Sequence, residues 1–313
     1  MRPETLLEIA RRNDYPLSAN TVEEVAKLYD YRDFAHFIEV WILTTNALRT
    51  RDDFRQVVVA YAAEAAEHGA VYLEAIFSPG ERVRRGVSWE DIFEGYCDGA
   101  EEGRELHGVE IRLTPDIYRG ATSEETEQVL EYSVAYRDRG VVGVGLGSLE
   151  AEYPPEAYAS VFDRVRAEGL GSVPHAGEVA RPASIRRALD ALGAIRIRHG
   201  IRAVDDPALL AELRGREIVL DVCPVFNVRT GAVPSLEEHP LPRLLEAGVP
   251  CSISTDDPAM FDTDLSREYA TAATLGADPQ AAFDAGVAGA LCDDETREGL
   301  RQIGRNYDWR SLL

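Results

Sequence analysis

From residue 51 onward, the chain alternates between two hydrophobic patterns. Apolar side chains first recur every three or four positions, which is typical of an amphipathic helix, and a short apolar run then follows a glycine or another turn residue. The clearest helical pattern covers residues 53–68 and ends before Gly69, which is suited to terminate a helix. Further helices are predicted at residues 1–13, 88–107, 123–139, 155–168, 183–192, 207–213 and 235–247, and Ser235 and Glu238 form a capping box at the start of the last one.

The short apolar runs predict seven β-strands, each placed after a helical pattern. They cover residues 71–77, 109–115, 141–146, 170–174, 195–199, 218–223 and 251–255. Strands that alternate with helices indicate a parallel sheet with crossover helices. Because a (β/α)8 barrel needs eight strands and about 250 residues, the pattern predicts an α/β TIM barrel in which seven strands are visible and one is missing.

The rest of the chain is also predicted to be helical. Residues 18–50 have no strand before them and are expected to form a lid-like segment, and residues 278–313 form a C-terminal tail. Since no linker, repeat or low-complexity segment interrupts the chain, residues 1–313 are predicted to form one domain.

Composition restricts the class of partner. The chain has 313 residues, of which 45% are hydrophobic, and 55 acidic against 33 basic residues give a net charge of −22. Such a surface repels a nucleic-acid backbone, so a nucleic-acid partner is not expected. No apolar run reaches the length of a membrane span. The four cysteines lack a CxxC spacing, which fits a reduced, cytoplasmic protein.

Polar side chains follow three of the predicted strands. His175 and Glu178 come after the fourth strand, His199 ends the fifth, and Asp256 and Asp257 end the seventh. The carboxyl ends of barrel strands meet at one rim, which is where active sites lie. Histidine and aspartate are ligands for Zn²⁺, and a bound Zn²⁺ makes water a nucleophile at neutral pH.

The residue types suggest a division of roles on that rim. Glu178 is expected to donate a proton and His199 to orient the nucleophile, while one aspartate binds metal and the other holds a substrate nitrogen. Two ordinary interpretations remain open from the residues alone. His199 alone is also compatible with a structural role, and the Asp256–Asp257–Pro258 run is also typical of a helix N-cap.

Other motifs point away from nucleotide-binding folds. The glycine-rich residues 143–147 are followed by Pro154 and Pro155 instead of a direct turn into a helix, so they do not indicate a dinucleotide-binding fold. Close approach of a substrate ring to this backbone is the better interpretation. No P-loop, no G-x-S-x-G motif and no H-x-E with P-C-x-x-C motif of the cytidine-type zinc deaminases is present.

Four segments in this order resemble the adenosine deaminase family of metal-dependent (β/α)8 aminohydrolases. They are SVPHAGE from residue 172, RIRHGIRAVDDP from 196, DVCPVFNVRTGAVPSLEEHPL from 221 and STDDPAMF from 254. The resemblance extends over most of the chain and is most specific between residues 171 and 261.

The resemblance implies a role for each rim residue. His175 and Asp256 would bind one zinc ion, and Glu178 would protonate N1 of a purine. His199 would position the hydroxide and Asp257 would hold the purine N7. The segment that begins with Gly147 and Ser148 corresponds to the place where the family contacts the purine, and a backbone N–H can serve there whatever the side chain.

This chain also departs from the family pattern. The family carries H-x-H, two further zinc ligands, on its first strand, and no H-x-H occurs in this sequence. Since Met1 matches a point inside the segment that follows that strand, we expect the true start to lie upstream; the alternative is a genuinely shortened protein. Arg198 stands where the family has glycine, and Val225–Phe226 where it has Thr-Ser.

The sequence therefore predicts zinc-dependent hydrolytic deamination of a 6-aminopurine nucleoside or related compound, with impaired activity in this chain as written. Two alternatives remain. One is another metal-dependent barrel hydrolase, disfavoured because Lys27, the only lysine, is not placed to bridge two metals. The other is a non-catalytic purine-binding paralogue. Adenosine, adenine, a nucleotide and a futalosine-type intermediate all remain possible substrates, and the oligomeric state is not indicated.

Overall fold

A computed structural model describes residues 1–32 and 34–309 of the chain. The predicted alternation of helices and parallel strands is confirmed. The strands are β1 (Tyr72–Phe77), β2 (Glu110–Tyr118), β3 (Gly143–Gly147), β4 (Gly171–Ser172), β5 (His175–Ala176), β6 (Arg196–His199), β7 (Val219–Val222) and β8 (Cys251–Ile253).

The α-helices surround the strands. They are α1 (Pro3–Arg12), α2 (Val22–Leu28), α3 (Phe34–Thr45), α4 (Arg51–Glu67), α5 (Pro79–Val83), α6 (Trp89–His107), α7 (Ser123–Ala135), α8 (Ala159–Ala167), α9 (Pro182–Leu192), α10 (Pro207–Gly215), α11 (Pro224–Arg229), α12 (Leu241–Glu246), α13 (Leu265–Thr274), α14 (Pro279–Gly289) and α15 (Asp294–Asn306). Short 3₁₀ helices occupy Arg137–Arg139, Pro155–Tyr158, Ile201–Asp205 and Pro258–Met260. None of the helices in the described ranges is long and apolar enough to cross a membrane.

Strands β4 and β5 are two parts of the single strand predicted in this region. On one side the Val173 N–H donates to the Val144 carbonyl, and on the other the Ser172 carbonyl accepts from Ile195. Pro174 separates the two parts because it has no N–H to donate. All pairings are parallel, in the orders β1-β2-β3-β4 and β5-β6-β7-β8. Within the part of the chain that the structure describes, the strands therefore occupy seven positions, as predicted.

Strands β1 and β8 lie at the two ends of this order. Within residues 1–32 and 34–309, no strand pairs with their outer edges. A side-chain hydrogen bond of 3.2 Å joins Tyr61 of α4 to Thr255, just beyond β8.

Two differences from the predicted elements affect the rim. Strand β2 continues to Tyr118, three residues beyond the predicted end, which places Asp116 inside the strand. The helix predicted at residues 235–247 begins only at Leu241, so the prediction from the capping box is wrong for residues 235–240. The buried His239 accepts the N–H of Leu241 instead, so tertiary burial rather than the local Ser235–Glu238 pair sets this helix start.

The predicted lid-like segment, residues 18–50, contains helices α2 and α3. Helix α3 contacts the carboxyl ends of the strands through Phe37, whose ring centre is 4.9 Å from that of Phe261. Phe261 in turn contacts Phe226 at 4.6 Å, so an apolar cluster joins the segment to the rim. Residue 33 of this segment and residues 310–313 of the predicted tail lie outside the described residues.

Charged side chains fill the opposite end of the strand interior. Arg196 of β6 pairs with Glu74 of β1 at 2.6 Å and with Asp221 of β7 at 3.0 Å. All three are largely buried, and the Leu291 N–H also donates to Glu74. Because alternate residues of a strand point to the same side, Arg198 enters the same interior two positions nearer the rim.

Candidate active site

The predicted polar residues meet where β5, β6 and β8 end. His175 lies in β5, His199 ends β6 and Asp256 follows β8. One ligand atom from each of these three residues lies within 4.8 Å of the others. The His199 Nε2 atom is 3.3 Å from Asp256 Oδ2, and the two imidazole centres are 5.4 Å apart. This group has the size and the donor atoms of a metal site.

Unusual backbone geometry aims two of these side chains. His199 and Asp256 have φ angles of 63° and 55°, in the left-handed region that non-glycine residues seldom adopt. Such conformations cost free energy and concentrate at functional sites. Ser148, at the end of β3, has a φ of 77° and is exposed on the same rim.

Glu178 lies in the turn between β5 and α9. Its Oε2 atom is 3.7 Å from His199 Nε2, and its Oε1 atom is buried without a hydrogen-bond partner among the described residues. Burial raises the pKa of the Glu178 carboxyl to about 7, against the lowering effect of His175, and the charge of Glu150 adds to the increase. A carboxyl with this pKa can donate a proton at neutral pH.

Asp256 and Asp257 are adjacent half-buried carboxyls. Burial raises the pKa of both carboxyls. The neighbouring histidines oppose this increase, His199 for Asp256 and His175 for Asp257. The alternative interpretation as a helix start is confirmed in position, because a short 3₁₀ helix begins at Pro258 with Asp257 at its N-cap, although the Asp257 side chain makes no capping hydrogen bond. The structural interpretation of His199 stays a prediction beside the catalytic one, since the buried ring contacts both Asn227 and Asp256.

Asp116 contacts the site and was not identified from the sequence. His175 Nδ1 is 3.3 Å from Asp116 Oδ2 and 3.3 Å from the Leu146 carbonyl oxygen. A metal-binding histidine usually directs its second nitrogen to a carboxylate or carbonyl. This contact leaves His175 Nε2 as the nitrogen available to a metal. The predicted β2 ended at Pro115, and the next residue was therefore not recognised as a strand-end carboxylate.

Arg198, one of the departures from the family pattern, occupies the strand interior beneath the site. Its guanidinium donates to Asp116 Oδ1 at 2.5 Å and to Thr114 Oγ1 at 2.6 Å. Burial alone would raise the pKa of Asp116, but Arg198 and His175 lower it, so the carboxylate is ionised. Only glycine fits at position 145, because a Cβ there would collide with Asp116 and Arg198.

This packing explains part of the glycine run. A Cβ on Gly147 would also collide with Asp116 and would lie 3.6 Å from His175 Nδ1. Gly147 therefore lies beside the site, and its glycine requirement follows from packing against the chain's own side chains. The predicted contact of a purine with Gly147 and Ser148 remains a prediction.

Glu150 is a second residue that the sequence did not reveal. Its buried carboxylate accepts hydrogen bonds from the N–H groups of Gly177, Glu178 and Ala180 and from the hydroxyl of Ser184. These hydrogen bonds fix the conformation of the turn that contains Glu178. Both residues have a signal in the sequence, because each is a carboxylate that follows a predicted strand. Asp116 follows the strand predicted at 109–115, and Glu150 follows the strand predicted at 141–146.

Arg119, the residue directly after β2, connects two further segments of the same region. Its side chain donates to the carbonyl oxygens of His175 at 2.7 Å and Tyr153 at 2.8 Å, and it is fully buried. Backbone groups on both sides of Glu178 are thus held by buried charges, which reduces the freedom of the turn.

Comparison with known proteins gives a consistent result. The family model described as adenosine deaminase matches residues 1–303. An aminodeoxyfutalosine deaminase of Acidothermus cellulolyticus is 54% identical over 99% of this chain and 89% of that protein. An adenine deaminase of Streptomyces coelicolor is 37% identical over 83% of this chain and 76% of that protein.

Solved structures agree with the fold. The crystal structure of an amidohydrolase from Burkholderia ambifaria with bound Zn has a TM-score of 0.90 and 26% identity, over 100% of this chain and 88% of that chain. The fold is thus of the TIM-barrel type, and the related proteins are deaminases and metal-dependent hydrolases. Because one family model covers nearly the whole sequence, the chain belongs to the adenosine deaminase family and is an aminohydrolase of that class.

Proposed function

We propose that this chain belongs to the enzymes of zinc-dependent hydrolytic deamination of a 6-aminopurine compound, with aminodeoxyfutalosine as the preferred substrate and with an activity lowered by the absence of the H-x-H ligands. The observation that carries the chemistry is the convergence of His175, Glu178, His199, Asp256 and Asp257 on one rim, with a Glu178 carboxyl whose pKa is about 7. A protonated carboxyl and metal-ligating groups in the same site are what hydrolysis of an amino-substituted ring requires.

His175 and Asp256 are the residues that would hold the zinc ion. The contact of His175 Nδ1 with Asp116 directs the opposite nitrogen into the site, and the carboxylate of Asp256 lies within the same small group of donor atoms. A Zn²⁺ ion there would supply a Lewis acid that activates water for attack. The Oε1 atom of Glu178 is buried and has no hydrogen-bond partner in the described structure. Because buried polar atoms are normally hydrogen-bonded, this atom supports a ligand-binding space beside it.

The chain's own residues would then act on the purine. Protonated Glu178 donates its proton to N1, which makes C6 more electrophilic. Water adds at C6 and gives up both of its protons: one passes to the amino nitrogen, which leaves as ammonia when its bond to C6 breaks, and the other restores the proton on Glu178. A 6-oxopurine is the product. Asp257, whose pKa burial raises, would hold N7. Because N7 only accepts hydrogen bonds, this contact would require the protonated carboxyl.

The identity of the substrate rests on relatedness. The relative named for aminodeoxyfutalosine is 54% identical over almost the full chain, whereas the relative named for adenine is 37% identical. Adenine is the second candidate for that reason. The alternative barrel hydrolase with a carboxylated lysine is disfavoured, because Lys27 is exposed on α2.

Kinetics of the purified protein with added Zn²⁺ test this proposal. Ammonia release is measured with aminodeoxyfutalosine, adenosine and adenine, and kcat/KM is expected to be highest for the first. A preference for adenine would establish the second candidate. Binding of these purines without ammonia release, in a protein shown to contain zinc, would instead indicate the non-catalytic paralogue.

A further inference from the structure

A chain of buried polar groups leads from the start of α12 to the site. The Leu241 N–H donates to His239 Nδ1 at 3.1 Å. His239 Nε2 lies 3.4 Å from Asn227 Oδ1, and Asn227 Nδ2 lies 3.5 Å from His199 Nδ1. The exposed fractions of His239, Asn227 and His199 are 4%, 0% and 2%, so water does not substitute for these partners.

The direction of these hydrogen bonds is fixed at one end. A backbone N–H only donates, so His239 Nδ1 must accept, and the proton of its ring is on Nε2. That proton requires an acceptor, which is the amide oxygen of Asn227. The amide then presents its NH₂ group to His199, whose Nδ1 accepts. The proton of the His199 ring is consequently on Nε2.

We propose that Asn227 and His239 are positioning residues that hold His199 as the Nε2-protonated tautomer, which makes it a hydrogen-bond donor in the site and not a metal ligand. The effect of this tautomer on the reaction rests on the proposed function, whereas the tautomer itself follows from the hydrogen bonds alone. The Nε2–H group faces acceptors, since Asp256 Oδ2 is 3.3 Å away and Glu178 Oε2 is 3.7 Å away. A protonated ring nitrogen has no lone pair for a metal.

Helix α11 supplies both contacts that orient the ring. Asn227 reaches His199 Nδ1, and the neighbouring Phe226 stacks on the His199 ring with a centre distance of 5.6 Å and an angle of 20°. The start of the helix is held by Glu268, which is fully buried and accepts the Val225 N–H at 2.9 Å. The ring of His199 therefore has one in-plane partner and one stacked partner from the same short helix.

The consequence concerns the donor group of His175, His199 and Asp256. All three have the right spacing for one metal ion. The hydrogen-bond direction removes His199 from the possible ligands. This agrees with the roles that the family resemblance implies, in which His175 and Asp256 bind the metal and His199 contacts the attacking water. Geometry alone does not separate these roles, whereas the tautomer does.

Nitrogen NMR of the full-length chain with ¹⁵N-labelled histidine tests the assignment directly. The sequence contains six histidines, which single substitutions can assign. His199 and His239 are expected to carry their protons on Nε2, and His199 is expected to keep that proton when Zn²⁺ is added. A proton on Nδ1 of His199, or its loss from Nε2 on addition of Zn²⁺, would overturn the proposal.

Asn227→Asp provides the second measurement. A carboxylate offers His199 Nδ1 only an acceptor, so the proton is expected to move to Nδ1, and kcat is expected to fall about 10- to 100-fold with little change in KM. His107→Gln, which removes a histidine at the far end of α6, is the matched control and should leave the His199 pattern unchanged. If His199 keeps its proton on Nε2 in Asn227→Asp, the proposed control of its tautomer by Asn227 is refuted.

These outcomes separate the two proposals. If the chain deaminates none of the purines but His199 carries its proton on Nε2, the proposed function fails and the positioning inference stands. If Asn227→Asp does not fold, the spectrum of the unmodified chain still decides the tautomer. Deamination by a chain whose His199 is protonated on Nδ1 would refute the positioning inference alone.

Discussion

Replacement of Glu150 by glutamine should loosen the turn that carries Glu178. One carboxylate oxygen accepts hydrogen bonds from the Gly177 N–H and the Ser184 hydroxyl. The other accepts from the N–H groups of Glu178 at 3.3 Å and Ala180 at 3.2 Å. Because the exposed fraction of Glu150 is only 7%, water cannot reach these four donors in place of the carboxylate unless the turn rearranges.

The magnitude follows from counting the donors that glutamine leaves unpaired. If its NH₂ group faces Ser184, that hydroxyl can rotate to accept, and only the Gly177 N–H loses its partner. In the opposite orientation two backbone N–H groups lose theirs, so the first orientation is preferred. One buried donor without a partner costs about 1–3 kcal/mol, and the remaining hydrogen bonds weaken when their acceptor is no longer ionised. We expect a loss of about 2–3 kcal/mol.

Urea unfolding followed by circular dichroism measures this change. The midpoint should fall while the dependence of free energy on urea stays the same, which indicates a change in stability alone. Glu152→Gln, an exposed carboxyl two residues away, is the matched control and should change stability by less than about 0.5 kcal/mol. Equal stability of the two variants would refute the assignment of Glu150 as the anchor of the turn.

Three further predictions concern the pH dependence of kcat, the contribution of Asp53 to stability and the requirement for zinc. Because protonated Glu178 donates and its raised pKa is about 7, kcat should be high below this pH and fall as the pH rises through it, while Glu178→Gln should lower kcat about 10²- to 10⁴-fold across the profile. Burial would raise the pKa of Asp53, but hydrogen bonds from Arg12, Asn13 and two backbone N–H groups lower it. The stability that Asp53 contributes is thus present above the pKa of the unfolded chain and lost in acid, and Asp53→Asn should cost about 3 kcal/mol in thermal or urea unfolding at pH 7. Dialysis against a chelator should abolish deamination and added Zn²⁺ restore it, whereas His175→Ala should lower the zinc content found by metal analysis.

Local patterns were sufficient to predict the elements and the position of the rim. Helical and strand periodicities, together with terminating glycines, depend on residues close in sequence, and the alternation of elements then implies parallel strands. Once the strands are parallel, their carboxyl ends lie on one side. His175, His199 and Asp256 could therefore be assigned to one site without coordinates.

The partners of those residues depend on the register between distant strands. Asp116 and Arg198 are 82 positions apart, and their hydrogen bond requires β2 and β6 to point these side chains into the same interior. Gly145 is needed only because that pair fills the space its side chain would occupy. No periodicity reports such a contact.

Local signals also failed where burial opposed them. Ser235 and Glu238 have the spacing of a capping box, yet the helix begins at Leu241, because His239 is buried and accepts the first N–H. The sequence by itself determined the strand-end chemistry, since residue type and periodicity are local properties. Only the tertiary structure decided which nitrogen of His199 faces the site, because that choice depends on hydrogen bonds across three separate segments of the chain.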